Sequence, residues 1–166
     1  MAELKAPTIP KDLLALAGEH RVASELCRRG VFATITPGNR KQTDIYVVRD
    51  STRRLLRIEV KASQHGRWVT RIGQRKARKK SDYNPPDFWV FVLFRSCDAL
   101  FFVLTNKKAE KRQRTRNKAW HKGYRKRHKG KKFDPRKGVD NLILADVADA
   151  QDSWDKIVAA VGGAEA

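Results

Sequence analysis

The run Leu55-Leu56-Arg57-Ile58-Glu59-Val60-Lys61 leaves little conformational choice. In an extended strand successive side chains alternate between faces. Leu56, Ile58 and Val60 therefore share one face, and Glu59 and Lys61 share the other, roughly 6–7 Å apart along the strand. A second strand-like run, Thr43-Asp44-Ile45-Tyr46-Val47-Val48, precedes it and brings a further carboxylate at its start. Two carboxylates and a lysine on adjacent strands make a small acidic site. Around that site the chain is strongly basic, with 37 Lys plus Arg against 18 Asp plus Glu and a formal net charge of +19. Such an excess repels itself in the compact state, and a polyanion relieves it. An acidic site inside a basic protein points to metal-dependent chemistry on a phosphate backbone.

The length of 166 residues suits one domain, 1–166, with a real core. Nucleic acid is the first candidate partner and an anionic membrane surface the second. The longest aromatic-aliphatic run, 88–94, is far too short to cross a bilayer as a helix. The start of the chain has no hydrophobic signal core, so the expected location is cytoplasmic and nucleoid-associated, with no membrane partner. Cys27 and Cys97 lack metal-ligand spacing and sit beside apolar residues, so both are expected as buried, reduced thiols.

Residues 11–29 predict a helix stopped by Gly30. Its apolar stripe takes in Ala15, Leu16, Val22, Ala23 and Leu26, and Glu19 falls inside it by spacing, whereas Glu25 lies off it and is expected to be solvated. An inward carboxylate is costly unless a cation meets it. Strands are expected at 31–36, 44–49, 54–62, 88–94 and 100–104, with a short one at Trp68-Val69 and a closing helix at 150–161. The basic run 71–80 suits a loop or a helix and offers Arg71, Arg75, Lys76, Arg78 and Lys79 to phosphates. Residues 107–137 hold sixteen Lys or Arg with only Glu110 and Asp134 as acids. That segment reads as a very basic insertion or loop with some helical character but little apolar periodicity. Arg112, Arg114, Arg116, Arg125, Lys126 and Arg127 are its candidate nucleic-acid contacts. Trp120, Tyr124 and Phe133 are interleaved and could stack on exposed bases.

Hydrolysis of a phosphodiester needs a nucleophilic water, stabilisation of the transition-state charge and help for the leaving oxygen. One or two Mg²⁺ ions held by carboxylates supply most of this. Asp44 and Glu59 would form the cradle, with the Val60 carbonyl as a further ligand, and Lys61 would point at the water. Taken alone, Glu59-Val60-Lys61 is a weak signal, because ion pairs alternate on many strand faces.

The order of elements strengthens it. A helix with Gly18-Glu19-His20, then Thr43-Asp44-Ile45, then Ile58-Glu59-Val60-Lys61-Ala62-Ser63 resembles the PD-(D/E)XK nuclease superfamily, which includes restriction enzymes and Holliday-junction resolvases. The resemblance spans about residues 15–105 and extends to the C-terminal helix through Asp152-Ser153-Trp154-Asp155-Lys156-Ile157. It implies an α/β, restriction-endonuclease-like αβββαβ core, a central mixed sheet flanked by helices, with the basic segment added towards the C-terminus. It also implies Mg²⁺ dependence, with Mn²⁺ as a substitute, and DNA cleavage leaving 5′-phosphate and 3′-hydroxyl ends. By position Asp44 and Glu59 take the metal-ligand roles and Lys61 the catalytic lysine role. Glu19 matches the helix acid that completes the metal site in some members, and Ser63 a substrate-phosphate contact. Thr43 stands where the motif has proline, and Gln64 and Gln74 have no tyrosine four residues on, so the exonuclease-branch motif is missing.

His20, His65, His121 and His128 form no zinc-site spacing, and Trp68, Trp89 and Trp154 read as core packing. The expected function is a DNA endonuclease acting on double-stranded or branched substrates. The rival is a non-catalytic DNA- or RNA-binding protein with a relic site. A junction resolvase would further require a homodimer, since two sites must meet two strands.

Overall fold

The computed structural model of the chain describes residues 8–37, 43–49, 54–73, 84–96, 98–129 and 140–162. In order these form α1 (Lys11–Cys27), β1 (Phe32–Ile35), β2 (Ile45–Arg49), β3 (Arg54–Ser63), β4 (Arg67–Val69), β5 (Phe88–Arg95) and β6 (Asp98–Thr105). Then follow α2 (Asn106–Arg127), β7 (Asn141–Ile143), α3 (Leu144–Val147), a 3₁₀ turn at Ala148–Ala150 and α4 (Asp155–Val161). A five-stranded sheet runs in the order β1-β2-β3-β5-β6. Its neighbours are antiparallel except β3 and β5, which run parallel, so the sheet is mixed and the fold is α/β. The expected helix between β3 and the parallel strand would fall largely on residues 74–83, outside the described ones.

Strand alternation sorts the core into two layers. On one face Ile45, Val47, Ile58, Val60, Val90 and Val92 pack with Val22 and Leu26 of α1 and with Trp154 and Ile157 near α4. On the other, Trp89, Phe91, Phe102 and Leu104 pack with Trp68 of β4, Leu142 of β7, Ala109 of α2 and Val147 of α3. β5 is buried from Phe88 through Leu93, as a strand covered on both faces must be. The Trp68 indole donates to the Val92 carbonyl at 3.0 Å. All three tryptophans expected in the core are buried there.

The face of α1 is set by Gly18, Val22 and Leu26, at i, i+4 and i+8. A Cβ at Gly18 would stand only 2.9 Å from the Ala62 Cβ, so the missing side chain lets the helix axis close on β3. Leu16 lies about 160° round the helix from Gly18. It is 47% exposed, and Ala15 is exposed too, so neither belongs to the inward stripe as expected. Cys27 lies about 180° round from Gly18 and is exposed, against the expectation of a buried thiol. Cys97 falls outside the described residues. The helix stops two residues earlier than expected, and Gly30 at φ 72° carries the chain into β1. Glu25 is half-buried, not solvated, because Arg29 donates to it at 2.6 Å and Arg28 at 3.1 Å.

Towards the C-terminus, β4 is the expected short strand, and its partner β7 had no clear signal in three residues. The expected helix over 150–161 is broken at Asp152, which takes φ 48°, and becomes helical only from Asp155. The first part of the basic segment is the long helix α2, entered directly from β6 through a Thr105 cap that accepts from the Lys108 N–H. No helix among the described residues is long and apolar enough to cross a membrane.

Gly18→Ala tests the approach of α1 to β3. Alanine gains about 1 kcal/mol of helix propensity but overpacks Ala62 by a term of about 1–3 kcal/mol. The expected result is a lower urea midpoint, a net loss of about 1 kcal/mol. An unchanged or raised midpoint would show that the helix can stand off the strand freely.

Candidate active site

Asp44 sits where β2 begins, one step beyond the Ile45–Ile58 pair, which makes Glu59 its cross-strand neighbour. Its backbone remains in the ladder: the Asp44 N–H donates to the Ile58 carbonyl and the Asp44 carbonyl accepts from the Thr36 N–H, both at 2.9 Å. Its side chain extends the ladder by one rung, with Oδ2 accepting the Val60 N–H at 2.7 Å. A charge-assisted bond from a backbone donor at the end of a strand fixes the carboxylate in place.

Glu59 and Lys61 share a face, as alternation requires, and the Lys61 Nζ lies 2.8 Å from Glu59 Oε1. Glu59 is only 1% exposed. The Lys61 side chain is 28% exposed, so the pair runs from the interior to the surface. Trp89 is the register partner of Glu59 on β5, and its ring lies under the Lys61 ammonium at 6.0 Å, the outer limit of a cation–π contact. The Trp89 indole donates to Asn106 Oδ1 at 3.0 Å, and Asn106 donates to Glu110 at 3.1 Å. The first turn of α2 thus fixes the ring beneath the lysine. Trp89 was legible only as core; its place under Lys61 depends on the β3–β5 register, which no local pattern encodes.

Glu19 follows Gly18 and is carried to the same locality by the close approach of α1. Burial pushes its carboxyl above the ordinary range, the nearby Asp44 charge adds to this, and Lys61 opposes it. Glu19, Asp44, Glu59 and Lys61, which stand 42 positions apart at their extremes, therefore form one electrostatic group.

Among the described residues, no three His, Cys, Asp or Glu side chains are gathered closely enough to hold a metal unaided. The chemistry of the donor set nevertheless fits a hard divalent cation: carboxylates from Asp44, Glu59 and Glu19, and backbone carbonyls at the β3 edge. The mutual repulsion of Glu19 and Asp44 is what a cation would relieve. Glu59 would have to share its Lys61 contact with the ion.

The other candidates divide. Ser63 is buried, and its Oγ accepts the N–H groups of His65 at 3.0 Å and Arg67 at 3.3 Å, holding the turn into β4. Arg112 donates to the Asp146 carbonyl at 2.6 Å and to Asp149 at 2.7 Å, and Arg116 reaches Asn141 at 3.1 Å and Asp146 at 3.2 Å. Both arginines bind α2 to the β7–α3 region. Arg71, Arg114, Arg125, Lys126 and Arg127 are exposed. Arg75, Lys76, Arg78 and Lys79 lie outside the described residues.

The raised Glu19 pKa gives a pH test. The folded state holds this proton more tightly than the unfolded chain, so the ionised carboxylate lowers stability as pH rises from the unfolded value through the folded one. In EDTA, Glu19→Gln should melt higher than the parent at pH 7, by on the order of 2 °C given the partial exposure. The gap should close as pH falls to the ordinary carboxylate value of about 4.3. A gap that is absent at pH 7 or constant with pH would remove Glu19 from the charged group.

No protein-family model matches the chain, and no curated protein matches it. Among solved structures, a bacterial homing endonuclease is similar at a TM-score of 0.42 and 17% identity, over 60% of this chain and 68% of that one. Chemistry at that distance has to be argued from the side chains.

Proposed function

We propose that this chain is a metal-dependent DNA endonuclease that hydrolyses phosphodiester bonds with a PD-(D/E)XK-type site. The observation that carries the reading is Asp44 as the cross-strand neighbour of Glu59, which meets Lys61 at 2.8 Å, with Glu19 of a separate helix close enough to feel the Asp44 and Lys61 charges. An incidental surface ion pair would need neither Asp44 nor Glu19, and it would not place a carboxylate in the sheet interior at the cost of desolvation.

In this reading Asp44 and Glu59, with the Val60 carbonyl and Glu19 in support, would hold Mg²⁺ or Mn²⁺. The bound ion would supply Lewis-acid polarisation of the scissile phosphate and charge stabilisation in the transition state. The Val60 N–H bond keeps one Asp44 oxygen fixed and so limits how the carboxylate can rotate. Lys61, footed on Trp89 and anchored by Glu59, presents its ammonium at the surface, where it orients the attacking water and offsets charge on the phosphate. The net charge of +19 draws a polyanion to the protein and makes its capture salt-sensitive. Branched DNA and a homodimer belong to the same proposal as special cases.

The 2.8 Å Glu59–Lys61 contact is also what a non-catalytic DNA- or RNA-binding protein with a structural ion pair would display. Cleavage assays separate the two. The protein is incubated with supercoiled, linear, branched and single-stranded DNA, with Mg²⁺, with Mn²⁺ and with EDTA. The expected result is metal-dependent cleavage that falls about 10²–10³-fold or more in Asp44→Asn, Glu59→Gln and Lys61→Ala. Binding without metal-stimulated cleavage, or cleavage indifferent to all three changes, would overturn the nuclease reading. Mg²⁺ should also raise the melting temperature of the parent by mass action, and Asp44→Asn should abolish that rise.

A further inference from the structure

The helix α2 sorts its cations by face. At 100° per residue, Lys107, Lys111, Arg114, Lys118 and Lys122 fall at i, i+4, i+7, i+11 and i+15, within an arc of about 80°. All five are exposed. The opposite face carries the buried Ala109 and Gln113. Arg112 and Arg116, turned towards β7 and α3, are engaged there by Asp146, Asp149 and Asn141. The five outward cations form a straight row about 22 Å long with a charge every 4.5–6 Å or so, on a rod anchored to the domain.

We infer that this row is a docking surface for the phosphate backbone of double-stranded DNA, gripping without reading sequence. The inference rests on the nuclease reading for its substrate and adds to it the surface that holds the duplex. A duplex presents about one charge per 1.7 Å of its axis, so a rigid row of this length meets phosphates along most of a helical turn. Single-stranded nucleic acid is gripped by rings that stack on bases, and the ring flanking the row, His121, is half-buried and packs edge-on against Trp120 with centroids 5.5 Å apart. Trp120 and Tyr124 lie on the Gln113 side of the helix and stack on each other, with centroids 5.2 Å apart. A lipid surface would need long apolar side chains beside the cations. The outward face carries no aliphatic side chain longer than Ala119.

The periodicity tests this directly. Binding of the full chain to a fluorescent duplex is followed by anisotropy in EDTA across a salt series, so that cleavage plays no part. Each phosphate contact contributes about 0.9 to the slope of log K against log salt. The triple variant Lys111→Ala/Arg114→Ala/Lys118→Ala should therefore flatten the slope by about 2.7, with its circular dichroism unchanged. The change should be similar on duplexes of unrelated sequence, and a single strand of equal length should bind more weakly than the duplex. An unchanged slope, tighter binding to the single strand, or no duplex binding by the parent would overturn the inference. If the slope falls while no DNA is cut with Mg²⁺, the nuclease reading fails and the docking surface stands. If cleavage is intact and the slope unchanged, the docking surface alone fails.

Discussion

A carboxylate inside a sheet cannot stand alone, and the pairing of Glu59 with Lys61 is the constraint that organises the site. Two positions along one strand place both groups on one face. The desolvation of Glu59 is tolerable because the ammonium meets it at 2.8 Å. The contact draws the Lys61 head to the point where the interior opens to solvent, its side chain 28% exposed. Trp89 closes the space below it, and Asn106 holds Trp89. A few polar contacts thus tie the central strand, its parallel neighbour and the start of α2 into one unit.

Much of this was legible in the sequence, for identifiable reasons. The alternation in 54–62 dictated which residues face Glu59, and the aromatic density of 88–94 dictated a strand buried on both sides. Glu19 could be placed inward because its spacing to Val22 and Leu26 is helical. The errors have physical causes too. Leu16 and Cys27 were misplaced because the absence of a side chain at Gly18, not the greatest hydrophobicity, decides which face of α1 meets the sheet. Ser63 and Arg112, expected at phosphates, also hold a turn and a helix-to-loop contact, which only the tertiary fold brings about. Glu25 is held by two arginines one turn on, at i+3 and i+4, and so is half-buried where its place off the apolar stripe predicts solvation.

The basic segment shows how composition hides pattern. Sixteen cations in 107–137 overwhelm any apolar period, and the signal worth reading is which cations fall in register with one another. In α2 those that face the domain find acids or amides, and those that face away repeat with the helical period. The helix is therefore amphipathic in charge compensation rather than in hydrophobicity.

The single parallel pairing in the sheet bears on how the chain reaches this state. β1, β2 and β3 form an antiparallel meander, and β5 and β6 a hairpin, so each unit pairs neighbours in sequence. Joining β3 to β5 brings together residues about thirty positions apart, and the entropy of closing that loop falls on this one step. Asp44 and Glu59 become neighbours within the first unit, whereas Trp89 arrives beneath Lys61 only when the two units meet. The Asp44–Glu59 neighbourhood is thus a short-range product of the meander, whereas the footing of the lysine is a long-range one.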